Sequence, residues 1–319
     1  MLRAALQLIV LGTVSFAATA QNLTPVTMQL NWHAQADFGG YFAAKADGIY
    51  EKHGLDVTIK QGGPQMNIHQ LLAAGHVDFV MGTSVRTLMI RNQGVPIVAV
   101  GAFYQFDPVT ILVHEGSGIN SPADLKGKQI YLPGIARINY WPLFKTRFGL
   151  DDAQIRPFDP SYRGFALDKA ASSQGYLTED GYRMKQLGIT GKSLWLKDFG
   201  WVPYSSTLDA TDKTIAEKPK MVEAFLKATA EGYRRYLQNP ASAHALIRKD
   251  NPNMSEEQAQ YAYGVMKGRG LVDPGDGTKI GSMTDARWEA TFKLLAESGM
   301  LAPDFDYKKA YTLRFVQGL

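Results

Sequence analysis

Apolar residues recur along this chain at two spacings that alternate at short intervals. Val26 to Leu30 alternates and predicts a strand, Phe38 to Tyr50 keeps one apolar face at helical spacing, and Leu55 to Lys60 alternates again. The order continues with a helix over Asn67 to Ala74 stopped by Gly75, a strand over Val77 to Met81, a helix over Ser84 to Asn92 ended by Gly94, and a strand over Ile97 to Phe103. Such alternation implies a mainly parallel sheet with helices on both faces, an α/β fold. A second α/β unit starts at Val109 to Val113 and continues with a capped turn at Ser121-Pro122 and a strand over Gln129 to Leu132. A helix over Tyr140 to Phe148 and strands over Ile155 to Phe158, Ala170 to Gln174 and Ser193 to Leu196 complete it. After about residue 208 the pattern is helical: Asp212 to Glu217, Lys220 to Gln238, Ala241 to Arg248, Glu256 to Lys267 and Asp285 to Glu297.

The first twenty residues break this pattern. Met1-Leu2-Arg3, an apolar stretch from Ala4 to Val14 and an Ala18-Thr19-Ala20 cleavage site before Gln21 have the layout of a secretory signal peptide. The stretch is shorter than the roughly 20 residues that span a bilayer. The chain has no cysteine, which excludes disulfides, thiolate metal sites, a cysteine nucleophile and a lipoprotein anchor. An exported, unlipidated chain points to the periplasm of a Gram-negative cell. About 299 residues remain after cleavage, more than one core usually organises, so two lobes are expected. Without Arg3 the chain holds 33 basic and 30 acidic residues, and no basic run or Arg–aromatic stripe argues for nucleic acid.

Candidate chemistry gathers where strands end and helices begin, the place where open α/β sheets bind ligands. Asn31-Trp32 ends the first strand, and the indole offers a flat face for a ring or, alternatively, a lid over the local core. Asp37 and Tyr41 follow in the loop and the helix after it. Gly62-Gly63-Pro64 and Gly82-Thr83-Ser84 sit between strand and helix, where bare backbone can approach a ligand and Ser84 can cap the helix. In the second unit the candidates are Tyr140-Trp141, the Gln174-Gly175-Tyr176 strand end and Glu179, a residue that also suits a helix's first turn electrostatically. Tyr104, Trp201 and Tyr204 lie at the two crossings between units, near residues 104 to 108 and 199 to 208. So many aromatics with few Arg or Lys favour a flat neutral heterocycle over an anion, which wants a guanidinium fork. Gln174 can donate and accept along a pyrimidine or amide edge. The histidines show no metal-ligand spacing and no G-x-S-x-G occurs, so the residues call for no metal, no cofactor and no catalytic set.

The Asn31-Trp32 segment, Gly62-Gly63-Pro64, the run from Leu71 to Ser84 and the Asn239-Pro240 helix start together resemble the NMT1/THI5-like (SsuA/THI5-like) family, over nearly all of the chain past the leader. The nearest members are binding proteins for thiamine-precursor pyrimidines. The resemblance implies a type II periplasmic binding protein. Its first lobe would comprise residues 21 to 106 plus a helical part over 207 to 319, and its second lobe residues 107 to 206. A ligand would be enclosed as the lobes close. It further implies that a small molecule is handed to an ABC permease and that the chain works as a monomer. Thr83-Ser84 would donate hydrogen bonds to the ligand. Runner-up ligands are riboflavin, an aliphatic sulfonate or an aromatic acid. The alternative of another class is a yeast-type pyrimidine synthase of the same family, but those proteins carry a cysteine-rich iron motif that this chain lacks.

Overall fold

The computed structural model describes residues 22–63 and 66–319. The expected signal peptide with its expected cleavage site, and Pro64 of the glycine motif, lie outside the described residues.

The first lobe begins with β1 (Thr24–Gln29), α1 (Gly39–Ala46), α2 (Ile49–Lys52), β2 (Leu55–Lys60), α3 (Ile68–Ala73), β3 (Phe79–Thr83), α4 (Ser84–Asn92) and β4 (Ile97–Tyr104). The helix expected over Phe38 to Tyr50 is split, because Gly48 takes φ 67° and restarts the chain as α2. Ahead of α1, Ala36–Phe38 forms a 3-10 turn. Asn67 caps α3 by accepting from the Gln70 amide at 3.3 Å. Thr83 caps α4 by accepting from the Arg86 amide at 3.2 Å, so the cap falls one residue before Ser84.

The second lobe holds β5 (Val109–His114), β6 (Ile130–Leu132), α5 (Gly134–Asn139), α6 (Trp141–Phe148), β7 (Ile155–Pro157), α7 (Arg163–Leu167), β8 (Ser172–Tyr176), α8 (Leu177–Gln186) and β9 (Gly191–Trp195). Tyr140 stands at the joint between α5 and α6, with Pro142 in the first turn of α6. The chain then returns through β10 (Ser205–Thr211) to a helical series: α9 (Asp212–Glu217), α10 (Pro219–Gln238), α11 (Ala241–Asp250), α12 (Glu256–Gly268) and α13 (Asp285–Glu297).

Two five-stranded sheets result, ordered β2-β1-β3-β10-β4 and β7-β6-β8-β5-β9. Both are mixed rather than simply parallel. In the first, β1 runs parallel to β2 and β3, while β10 runs antiparallel to its neighbours β3 and β4. In the second, β5 is the reversed strand between β8 and β9. The hydrophobic pattern reads residues 205 to 208 as part of a crossing, but β10 is an inner strand of the first sheet. Its register slips between Ser205 and Thr207, and Ser206 there takes φ 51°, a left-handed conformation strained for a non-glycine residue. Phe225 of α10 stacks on Phe79 and Tyr50 in the first lobe's core, with centroids 4.6 and 5.3 Å apart. Among the described residues no helix is long and apolar enough to cross a membrane.

Candidate functional site

Strand direction decides which loops meet. In the first sheet the carboxyl ends of β1, β2, β3 and β4 share one edge with the amino end of β10. From that edge emerge Leu30 to Asp37, Gln61 to Gly63, Thr83-Ser84 and Tyr104 to Asp107. The second sheet presents the carboxyl ends of β6, β7, β8 and β9 and the amino end of β5. The edges are joined where β4 gives way to β5 and where β9 leads to β10, so both crossings pass the same cleft.

At its centre lies Asp37, buried with 3% of its surface exposed. Its Oδ2 accepts from Gln35 Nε2 at 2.8 Å, and its Oδ1 accepts from the hydroxyls of Tyr104 at 3.3 Å and Thr178 at 2.7 Å. Its carbonyl accepts from the hydroxyls of Tyr104 at 3.1 Å and Tyr233 at 3.2 Å. Thr178 comes from the second lobe, so one carboxylate is satisfied from both sides of the cleft. Burial raises the Asp37 carboxyl above its ordinary range, and the hydrogen bonds offset part of that rise. The neighbouring Glu179 is half-buried, and burial first, then the Asp37 charge, pushes its carboxyl up to about 7. Burial and then the charges of Asp107 and Asp37 raise the Tyr176 phenol.

A second group lies at the crossings. Trp201 Nε1 donates to Asp107 Oδ2 at 3.0 Å and Trp195 Nε1 donates to the Asp107 carbonyl at 2.8 Å. Burial pushes the Asp107 carboxyl up to about 6 against the Trp201 indole and the Val109 amide, which both donate to it. The Tyr140 ring meets Trp201 edge-on at 6.0 Å, and its hydroxyl donates to Gln174 Oε1 at 3.2 Å. That bond fixes the amide so that its NH₂ remains the free edge.

The other sequence candidates fall outside these two groups. Trp32 is 39% exposed on the rim, edge-on to His33, and Asn31 is partly exposed beside it. Gly62 lets the first two loops touch: a Cβ there would collide with the Leu30 carbonyl and the Asn31 backbone, and its amide donates to the Trp32 carbonyl at 2.9 Å. Gly63 has more room and faces the His33 ring. Ser84 is buried, with its amide and hydroxyl both donating to the Tyr204 carbonyl, at 3.1 and 3.3 Å. Tyr204 in turn accepts from the Thr284 amide and lies under the Arg287 guanidinium. Tyr41 is buried in the first lobe between Phe103 and Tyr233. Trp141 is buried against lobe 2, its Nε1 donating to Asp152 at 2.7 Å. Gly175 leaves room for the Asp180 carboxylate, which accepts from Thr110 at 2.6 Å.

Thr178, Gln35, Asp107 and Tyr233 belong to the cleft groups and were not singled out from sequence. Asp107 carried a signal, since it lies inside a crossing. A distant helical tyrosine carries none until α10 is packed on the first lobe, nor a threonine until the second lobe is placed. Two surface hollows of about 340 and 270 Å³ lie away from the cleft, around His114, Glu115 and Thr190 at the opposite edge of the second sheet.

Two mixed sheets flanking a polar and aromatic cleft define the periplasmic binding protein fold. The periplasmic aliphatic sulphonate binding protein SsuA from Escherichia coli superposes with a TM-score of 0.69 at 15% identity, covering 90% of this chain and 91% of that one. The family model described as NMT1/THI5 like matches residues 35–243, and the chain belongs to that family. Among relatives, the riboflavin-binding protein RibY of Chloroflexus aurantiacus is 23% identical, covering 95% of this chain and 90% of its own. The 4-amino-5-hydroxymethyl-2-methylpyrimidine phosphate synthase of Legionella pneumophila is 21% identical, over 91% and 92%. The formylaminopyrimidine-binding protein of Halalkalibacterium halodurans is 24% identical, over 71% of each.

Proposed function

We propose that the chain is the periplasmic solute-binding component of an ABC importer and that it captures a thiamine-precursor-like pyrimidine. The observation that carries this reading is the polarity of the cleft. Asp37, Asp107 and Glu179 bring three carboxyls to this site; Asp37 and Asp107 are held by the protein's own donors, while among the described residues no hydrogen bond holds the half-buried Glu179 carboxyl. Carboxyls suit a ligand rich in N–H donors, as an aminopyrimidine is, and in their ionised form repel a sulfonate or an aromatic carboxylate. The Tyr140, Tyr176 and Trp201 rings supply apolar faces for a flat heterocycle. Two relatives whose names refer to a pyrimidine, one to its binding and one to its synthesis, agree with that chemistry. Riboflavin, named in a third, is the runner-up.

The synthase reading is weaker for this chain, which has no cysteine to hold iron in the manner expected of the yeast-type enzymes. Export through residues 1 to 20, a monomeric state and transient docking on a permease complete the proposal. Intrinsic fluorescence titration against pyrimidines, flavins, sulfonates and aromatic acids tests it. The expected result is saturable quenching by an aminopyrimidine at the lowest concentration of the panel. A sulfonate binding more tightly would overturn the ligand assignment.

A further inference from the structure

Away from the ligand groups, the two lobes touch along a seam between α8 and the α12 region. The Gly181 amide donates to the Tyr261 hydroxyl at 3.1 Å. Tyr182 and Ser255 hydroxyls pair at 3.2 Å, and Lys185 pairs with Glu257 at 3.1 Å. The Tyr182 and Tyr261 rings lie 6.3 Å apart. Gly181 is what allows this approach, because a Cβ there would collide with the Tyr261 hydroxyl and press on its ring at 3.0 Å. A glycine in the middle of an amphipathic helix weakens that helix, so its presence needs a contact that requires it. The Lys185–Glu257 pair is exposed and contributes little, which leaves the hydroxyl contacts and Gly181 as the effective part of the seam.

We propose that this seam is a closure latch, with Gly181 and Tyr261 setting the balance between open and closed lobes and hence ligand affinity, although neither residue belongs to the cleft groups. The proposal rests on the binding-protein reading for its consequence, affinity, but not for the lobe equilibrium itself. The apparent dissociation constant scales inversely with the fraction of protein in the binding-competent state. A weaker seam therefore loosens every ligand by the same factor, whereas a contact residue would change one ligand more than another.

The test uses single-molecule energy transfer between dyes on Lys52→Cys and Lys169→Cys, exposed positions in different lobes of a chain with no other cysteine. Without ligand, wild type should visit the closed state. Tyr261→Phe, which removes the acceptor for the Gly181 amide, should lower the closed-to-open ratio about fivefold, the size of one neutral hydrogen bond. Gly181→Ala should lower it more than tenfold while α8 is kept, since alanine is the better helix former. In the Tyr261→Phe background, Gly181→Ala should cost less, because the hydroxyl it strikes is gone. Affinities for 4-amino-5-hydroxymethyl-2-methylpyrimidine and riboflavin should fall by the same factors. Closed-to-open ratios within twofold of wild type in both single variants, or a wild type that never closes without ligand, would overturn the latch. A wild type that closes but binds neither probe would refute the ligand reading and leave the latch standing.

Discussion

The Tyr140 hydroxyl donates to Gln174 Oε1 at 3.2 Å and so fixes which face of that amide is free. Tyr140 is buried against Trp201, and the pair ties the end of β8 to the crossing that leads into β10. With its oxygen engaged, Gln174 offers the cleft a donor. Tyr140→Phe frees the amide to rotate. Discrimination between an aminopyrimidine and its oxo analogue should then shrink about 2- to 10-fold, the range of one neutral hydrogen bond. Competition titration measures this ratio, and an unchanged ratio would remove Gln174 from ligand selection.

Trp32 stands 39% exposed on the rim, where an indole contributes little to the core. Trp32→Ala should leave thermal stability within about 0.5 kcal/mol, as expected of surface changes. Ligand binding should weaken by the stacking contribution plus lost apolar burial, on the order of 2 kcal/mol or about 30-fold. Trp32→Phe should recover most of it. Calorimetry on the variants beside wild type separates a stacking platform from a lid, since a lid would cost stability and spare affinity.

The buried carboxyls give stability a pH dependence of known sign. Burial raises Glu179 to about 7 and Asp107 and Asp180 to about 6, from ordinary values of 4.5, 3.8 and 3.8, and Asp37 moves the same way. The folded chain therefore holds protons that the unfolded chain has released. Stability is lost as pH rises from about 4 towards 7, the reverse of a salt-bridged carboxylate. His244 opposes this, because burial lowers its pKa and its contribution is lost as pH falls through 6.5. Three raised carboxyls with Asp37 outweigh one histidine, so the melting temperature of the ligand-free protein should be a few degrees higher at pH 5 than at pH 7.5. Glu179→Gln should flatten the upper part of that slope. A melting temperature that rises steadily from pH 5 to 7.5 would contradict the burial of these groups.

The strands and helices bounded by glycine and capped by Asn67 were legible because each rests on local chemistry. Leu55–Lys60 and Ser84–Asn92 emerge with the expected bounds. β10 was not legible as a strand. Ser205, Ser206, Thr207 and Asp209 are polar yet buried, and Asp209 Oδ2 meets His69 from α3 and accepts from Thr87 of α4, at 3.3 and 2.7 Å. Hydrophobic pattern cannot reveal a strand of buried polar residues in which Asp209 Oδ2 finds its partners more than a hundred residues away and Asp209 Oδ1, Ser206 Oγ and Thr207 Oγ1 have none among the described residues. The site divides in the same way. Asp37 in the loop after β1, Tyr140 at a helix start, Gln174 near a strand end and Trp201 at a crossing stand at places that sequence locates. Gln35 and Tyr233 reach Asp37 through the packing of the first lobe's own turn and α10, and Thr178 only through the packing of one lobe on the other.

Export makes a separate prediction. Cleavage after Ala20 would leave a periplasmic protein beginning at Gln21, which N-terminal sequencing of a periplasmic extract would read directly. Full-length chain in the cytosol would remove the importer role.

The central claim is capture without conversion. Calorimetric titration of the purified protein with 4-amino-5-hydroxymethyl-2-methylpyrimidine, followed by mass spectrometry of the recovered ligand, tests it most directly. Saturable binding at one site per chain is expected, with the ligand recovered unchanged after long incubation. Absence of binding across pyrimidines, or a new product in the recovered material, would contradict it.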